Sequence, residues 1–227
     1  MDVASITRVA ALIGEAGRIR MLTALLDGSL HSASDLAMAA EVSPQTASSH
    51  LSKLRSGGLI ACEPSGRQRL FRLKNADVAA AIEALGALAP GSGAPDIPEL
   101  RFARTCYDHL AGMLAIAIRN QLLCKDLLRQ RGDTFVVTAP GERFLRTLDI
   151  DAGALRRLRR SFARQCLDWT EREPHVGGGV GAALLSEFMN RKWLARIRKT
   201  RAVRLTAAGE RGFEQVFGIR PGTIQLR

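Results

Sequence analysis

Two short stretches hold the side chains that could do chemistry. "TCYDH" (residues 105–109) places a thiol, a carboxylate and an imidazole within five positions, and "CLDWTEREPH" (166–175) does so again with Cys166, Asp168 and His175. Brought together, Cys106, His109, Cys166 and His175 make an S2N2 donor set, which suits zinc or another soft divalent ion. Their spacing is wide and uneven beside a CxxC pair. The same thiols could instead answer oxidants or electrophiles. A third reading is structural: the cysteines act as small core hydrophobes, and the Asp and His groups cap helices or pair with arginines. A Cys–His–Asp nucleophile set is conceivable, but no strained nucleophile turn is visible. Gly177, Gly178 and Gly179 lack the Lys and Ser/Thr that complete a phosphate loop. The chain is therefore expected not to be an enzyme.

The elements that must position these residues follow from pattern and punctuation. "PGSGAPDIP" (90–98) is the clear linker in the chain. A long helix is expected after it, over roughly 98–130, putting Cys106 and His109 at i and i+3 on one face with Asp108 pointing away. Further on, "FVVTAPGERFL" (135–145) resembles "VRLTAAGERGF" (203–213), and "KDLLRQR" (125–131) resembles "KWLARIR" (192–198). Each copy reads as helix, short strand and Thr-capped helix, the back half of a winged-helix unit, which predicts an internal duplication over about 114–148 and 181–218. Four cysteines in a chain expected to be cytoplasmic read as free thiols or ligands rather than disulfides. No apolar run approaches a bilayer span.

The net charge is +11, which points to a polyanionic partner, with nucleic acid first. Residues 1–90 hold 9 Lys/Arg against 8 Asp/Glu, yet Lys53, Arg55, Arg67, Arg69, Arg72 and Lys74 face only Glu63 within 53–74. Helices are expected over 3–13 and 15–27. In "SASDLAMAAEVSPQTASSHLSKLRSGGLI" a short helix, capped by Ser32 or Ser34, turns into a second one with Pro44 in its first turn and Gly57–Gly58 at its end. That is helix-turn-helix order. Leu36, Val42, Ala47, Leu51 and Leu54 fall where the two helices must pack. The other face offers Ser43, Gln45, Thr46, Ser48, Ser49, His50, Lys53 and Arg55 to base edges and phosphates. "LIACEP" and "RQRLFRL" around Ser65–Gly66 predict a β-hairpin, whose Arg67 and Arg69 would reach the DNA backbone. The basic runs "RRLRRSFAR" (156–164) and "RKWLARIRKTRAVR" (191–204) are ordinarily solvated faces. The second, through Arg198, Lys199 and Arg201, could lengthen the footprint on DNA.

"VSPQTASSHLSKLRSGGLI…SGRQRLFRL" resembles the arsenical-resistance-repressor (ArsR) family of winged-helix regulators. Ser43, Ser48, His50, Leu51, Leu54, Gly58, Leu59, Gly66, Arg67 and Phe71 occupy the family's slots. The resemblance implies a homodimer that binds an operator palindrome, reads each half-site with residues 44–56, and usually represses. In such families His50 more often packs the helix or contacts a phosphate than reads a base. The departures matter as much. "HSASDLA" carries serines where the family's thiolate metal site needs cysteines, and "ADVAAAIEALGALA" lacks the histidine of its second site. "CYDHLAG" and "CLDWTEREPHVGG" are similar to ArsR-type regulators with an extended C-terminal domain.

The expected fold is mainly α (α+β): a winged helix-turn-helix domain over 1–89, a linker over 90–97, and a helical dimerisation and effector domain over 98–227 built from duplicated half-winged-helix units. The expected function is sequence-specific DNA-binding regulation of transcription by a homodimeric repressor released by an effector. The partners are double-stranded operator DNA and a second copy of the chain, with no membrane. The alternatives are a constitutive architectural DNA binder and a regulator fused to a small thiol-dependent enzyme.

Overall fold

The structure, a computed structural model, describes residues 2–66, 68–88, 98–197 and 200–224. The expected linker over 90–97 lies outside the described residues, as do Arg67, Arg198 and Lys199. The chain divides into two compact units, Met1–Ile82 and Glu83–Arg227.

In the first unit, α1 (Val3–Ile13) is capped by Asp2 and α2 (Ala16–Ala24) by Glu15. A 3-10 turn, Leu25–Asp27, ends at Gly28 in the left-handed region. A two-residue strand β1 (His31–Ser32) then leads into α3 (Ala33–Ala40). Ser32 and Asp35 form a reciprocal capping box there, so two amides at the helix start are satisfied. After Glu41 the chain enters α4 (Pro44–Ser56), with Ser43 as its cap and Gly57 at its end. The hairpin of β2 (Ile60–Ser65) and β3 (Gln68–Leu73) follows, then α5 (Ala76–Leu88), which Asn75 opens and whose residues from Glu83 on belong to the second unit. The strands form an antiparallel sheet in the order β1-β3-β2, with Phe71 opposite both His31 and Cys62. Strand β1 was not expected; two residues are too few to show alternation. Met21, Leu22, Leu25, Leu36, Leu54, Ile60 and Leu73 are fully buried between α2, α3, α4 and the sheet, so the predicted contact face of the helix pair is the core of this unit.

The turn before β1 is tied by an ion pair, His31 Nε2 to Asp27 Oδ2 at 2.8 Å, with Ser29 also donating to Asp27. Burial opposes ionisation of Asp27, but hydrogen bonds from His31 and Ser29 outweigh it and hold the carboxyl below its ordinary range. The hydrogen bond to Asp27 raises His31 against the pull of burial. The pair's contribution is thus complete above the unfolded Asp pKa of about 3.9 and below the unfolded His pKa of about 6.5. It fades as pH falls through the lowered Asp27 value, and again as pH rises through the raised His31 value. We expect Asp27→Asn to cost about 1–2 kcal/mol inside that window, since both groups stay partly wet. Outside it the cost should shrink, as read by denaturation midpoints across the pH range.

The second unit does not contain the long helix expected over 98–130. Instead α6 (Pro98–Phe102) is followed by a tight hairpin, β4 (Arg104–Cys106) and β5 (His109–Ala111), and then by α7 (Met113–Cys124). Tyr107 at φ 62° turns the hairpin, and Gly112 at φ 89° separates it from α7; neither conformation continues a helix. A second hairpin, β6 (Leu128–Arg131) and β7 (Thr134–Val137), leads to α8 (Ala139–Thr147). After α9 (Ala152–Arg156) the same order returns: β8 (Arg164–Leu167), β9 (Pro174–Gly177), α10 (Gly178–Asn190), β10 (Leu194–Arg196), β11 (Val203–Leu205) and α11 (Ala207–Phe217). The paired stretches noted over 114–148 and 181–218 fall on α7 to α8 and on α10 to α11.

The two halves are pinned to one another reciprocally. Phe135 N bonds to Ala163 O, and Gln165 N to Asp133 O, both at 3.1 Å; Val203 N bonds to Ala103 O at 3.0 Å and Thr105 N to Arg201 O at 2.9 Å. Thr138 and Thr206 cap α8 and α11 identically, each also donating its hydroxyl to the chain at the end of the preceding helix. Leu114, Phe135, Leu145, Val180, Leu184, Phe188, Phe213 and Phe217 share one core. Among the described residues no helix is long and apolar enough to cross a membrane.

Candidate functional site

Helix α4 has two faces of opposite character. Ala47, His50, Leu51 and Leu54 are buried, while Gln45, Thr46, Ser48, Ser49, Ser52, Lys53 and Arg55 are exposed. A helix of this diameter with short polar groups outward fits the width of a DNA major groove. Two expected contact residues serve other ends. The Ser43 hydroxyl accepts from the Thr46 amide at 3.2 Å, so it caps the helix. His50 is buried, with Nε2 3.2 Å from Glu15 Oε2 at the start of α2, so it faces inward and is removed from the set that can meet DNA.

The hairpin turns its own basic groups to the same side. Ser48 and Arg55 of α4 line one cleft of about 380 Å³ with Gln68 and Arg69 of β3 and with Ser32 and Ser34. Arg69 is exposed near the hairpin's tip. Lys53 points elsewhere, into a groove with Arg8 and Arg18. Arg72 pairs with Glu63 across the hairpin at 2.5 Å. In the second unit Arg201 is engaged by Glu83 at 2.7 Å, both nearly buried, so it is not free to meet a phosphate as the basic-run reading required.

The opening stretches meet. Cys106 faces His109 in the register of β4 with β5, and Cys166 faces His175 in the register of β8 with β9. The four ligand atoms lie within 4.8 Å of one another, all from buried residues. The sulfurs are 3.8 Å apart and the two Nε2 atoms 3.1 Å apart. The pairing is across strands, not along a helix face. It also changes the part given to Asp108, which does not point away: its Oδ1 sits 3.2 Å from His109 Nδ1 and its Oδ2 accepts from Arg160 at 2.7 Å.

Asp168 plays the matching part beside His175. Its Oδ1 accepts from Arg104 at 2.8 Å and from the Thr170 amide and hydroxyl, and its Oδ2 accepts from the Gly112 amide at 2.7 Å. His175 Nδ1 lies 3.7 Å from Oδ2, too far for a hydrogen bond, and is otherwise unpartnered. Arg104 and Asp168 are both wholly shielded from solvent. Burial pushes the Asp168 carboxyl up, but Arg104, His175 and the hydrogen bonds outweigh it and hold it well below the usual carboxylate range. Burial likewise pulls His109 down, yet Asp108 and Cys166 raise it to about 9. The Cys166 thiol is driven far down by its hydrogen bond with Cys106, opposed by burial and helped by both imidazoles, while Cys106 is pushed up by the same bond and by burial. Both sulfurs are buried.

On the structural reading the Asp groups pair with arginines, as Asp108 does with Arg160 and Asp168 with Arg104; Arg104 itself was not singled out, although a signal existed. "FARTCYD" (102–108) and "FARQCLD" (162–168) differ at two positions, which marks Arg104, Cys106 and Asp108 as counterparts of Arg164, Cys166 and Asp168.

Comparison with known proteins places this framework. Among solved structures the chain is similar to reduced HlyU from Vibrio cholerae N16961, at 28% identity and a TM-score of 0.35, over 38% of this chain and 90% of that one. It is also similar to the homodimeric winged helix-turn-helix DNA-binding domain (fragment 1–100) of Mb0332 from Mycobacterium bovis, a possible ArsR-family transcriptional regulator, at 24% identity and a TM-score of 0.37, over 40% and 82% of the two chains. A family model described as "Bacterial regulatory protein, arsR family" matches residues 15–61, from the cap of α2 into β2. The uncharacterized HTH-type transcriptional regulator YdfF of Bacillus subtilis (strain 168) is 39% identical over 222 residues, covering 95% of this chain and 98% of that one. With that relative matched over nearly its whole length, and the family's model lying on the helices just described, the chain belongs to the ArsR family of DNA-binding transcriptional regulators.

Proposed function

We propose that two copies of the chain bind a palindromic operator, each reading a half-site with the outer face of α4, and that they repress transcription in the cytoplasm until the C-terminal unit takes up an effector. The observation that carries the DNA-reading part is the shared cleft: helix residues Ser48 and Arg55 and hairpin residues Gln68 and Arg69 line one concave surface. Gln45, Ser48 and Ser49 are positioned for base edges, and Arg55 and Arg69 for phosphates. Support for a dimer comes from α1, none of whose residues is fully buried and which leaves Val3, Ile6 and Val9 exposed along one side. Such an apolar stripe is well covered by a second copy of itself. The effector reading rests on the separate core of the C-terminal unit, which the DNA-reading surface does not use.

The test is binding of the full chain to duplexes from upstream of its own gene, followed by fluorescence anisotropy at several salt concentrations. We expect two chains per duplex by sedimentation. Arg55→Ala and Arg69→Ala should each weaken binding to all sequences and flatten the salt slope by about one unit, whereas Gln45→Ala should relax specificity at one base pair by about 1–3 kcal/mol. Equal affinity for scrambled duplexes would overturn the reading. A reporter repressed equally under metal, oxidant and metabolite challenge would favour the constitutive binder.

A further inference from the structure

We propose that the C-terminal unit is an internal duplication closed by a resident zinc ion, held by Cys106 and His109 of one half and by Cys166 and His175 of the other. This does not depend on how the chain reads DNA. Zinc–sulfur bonds of about 2.3 Å and zinc–nitrogen bonds of about 2.0 Å set tetrahedral edges of about 3.8 Å between sulfurs and about 3.3 Å between nitrogens. The observed separations are 3.8 Å and 3.1 Å.

Proton placement argues the same way. A carboxylate only accepts, so Asp108 holds a proton on His109 Nδ1, and Nε2 is the ring atom turned toward the other three donors. Asp168 stands beside His175 as Asp108 does beside His109, with Oδ2 3.7 Å from Nδ1. The two Nε2 atoms lie 3.1 Å apart, beside two sulfurs, in a dry interior. Charge balances as well: binding releases the protons the donors carry, and a dication with two thiolates and two neutral imidazoles is neutral overall, which burial favours. The outer carboxylates are matched by Arg160 and Arg104. All four donors come from the protein and leave no open position, the arrangement of a structural rather than a catalytic ion.

The symmetry of the donors ties the ion to the duplication. Each half contributes one thiol from its first strand and one imidazole from its second, directly opposite in register. Each half's first strand also bonds to the other half's second hairpin. The glycines that follow, Gly112 and Gly178, both sit at positive φ, and a Cβ on either would come within 2.6 Å of a backbone oxygen, Arg101 O or Ser161 O. The ion thus sits where the two halves meet, near the pseudo-two-fold relating them.

The test is metal content of the full chain, purified without a histidine tag. Elemental analysis should find one zinc per chain after dialysis. Cobalt(II) substituted for it should show a thiolate-to-cobalt charge-transfer band and ligand-field bands of tetrahedral intensity. Cys62→Ser/Cys124→Ser should keep the full equivalent, because those two thiols lie outside the cluster, whereas Cys166→Ser should lose it. Where that last variant fails to fold, the wild-type zinc content and cobalt spectrum still decide. Wild-type protein with less than a tenth of an equivalent of zinc and no cobalt uptake would overturn the proposal, as would zinc that disappears from the Cys62/Cys124 variant or a stoichiometric metal other than zinc.

Discussion

Asp168→Ala should lower the stability of the C-terminal unit by about 3–5 kcal/mol, the cost of stripping one partner from a buried ion pair. Arg104 and Asp168 are 0% exposed in their side chains and 2.8 Å apart. Without the carboxylate, Arg104 keeps Leu100 O, the Thr170 hydroxyl and the face of Trp169, none of which carries a compensating charge. The amides of Gly112, Thr170 and Glu171 would also lose their acceptor, each a further desolvation cost. Removing both charges with Arg104→Met/Asp168→Leu should recover part of the loss, because a buried pair is often replaceable by apolar groups. It should not recover all of it, since the three amides remain unpaired. Denaturant midpoints for the two variants read the difference directly; equal stability of Asp168→Ala and the parent would show that this pair does not hold the unit.

Ser48→Glu/Ser49→Glu should reduce operator affinity by about 100-fold or more, since like charges set against a partner's surface cost several kcal/mol. Both serines are exposed on α4, and glutamate has a higher helix propensity than serine, so the melting temperature should not fall. Two carboxylates would instead meet the phosphates that a groove-bound helix runs between. Unchanged affinity in a variant that still binds its operator would mean that this face points away from DNA.

The DNA-reading half was legible because its signals are local. Ser43, Pro44 and Gly57 mark both ends of α4, and Leu51 and Leu54 repeat at helical spacing on its inner side. His50 was the exception: nothing in its own helix reveals that Glu15, 35 positions earlier, draws it inward. The C-terminal unit was harder to read because its key pairings are remote. Residues 104–111 are apolar enough to continue a helix pattern, and only the backbone at Tyr107 and Gly112 shows the hairpin. The donor set itself was recognisable from residue type, while the convergence of Cys106 with Cys166 depends on strand pairings between halves that no local pattern encodes. The repeated Phe-Ala-Arg-x-Cys-x-Asp was the one sequence clue to that meeting.

The most direct measurement of the central claim is the backbone amide spectrum of the full chain as a duplex from upstream of its own gene is added. Amides of Gln45, Thr46, Ser48 and Ser49, together with Arg69 on the hairpin, should shift and saturate, and a scrambled duplex should move them less and without saturation. Specific binding that leaves α4 unmoved and perturbs another surface would contradict the account.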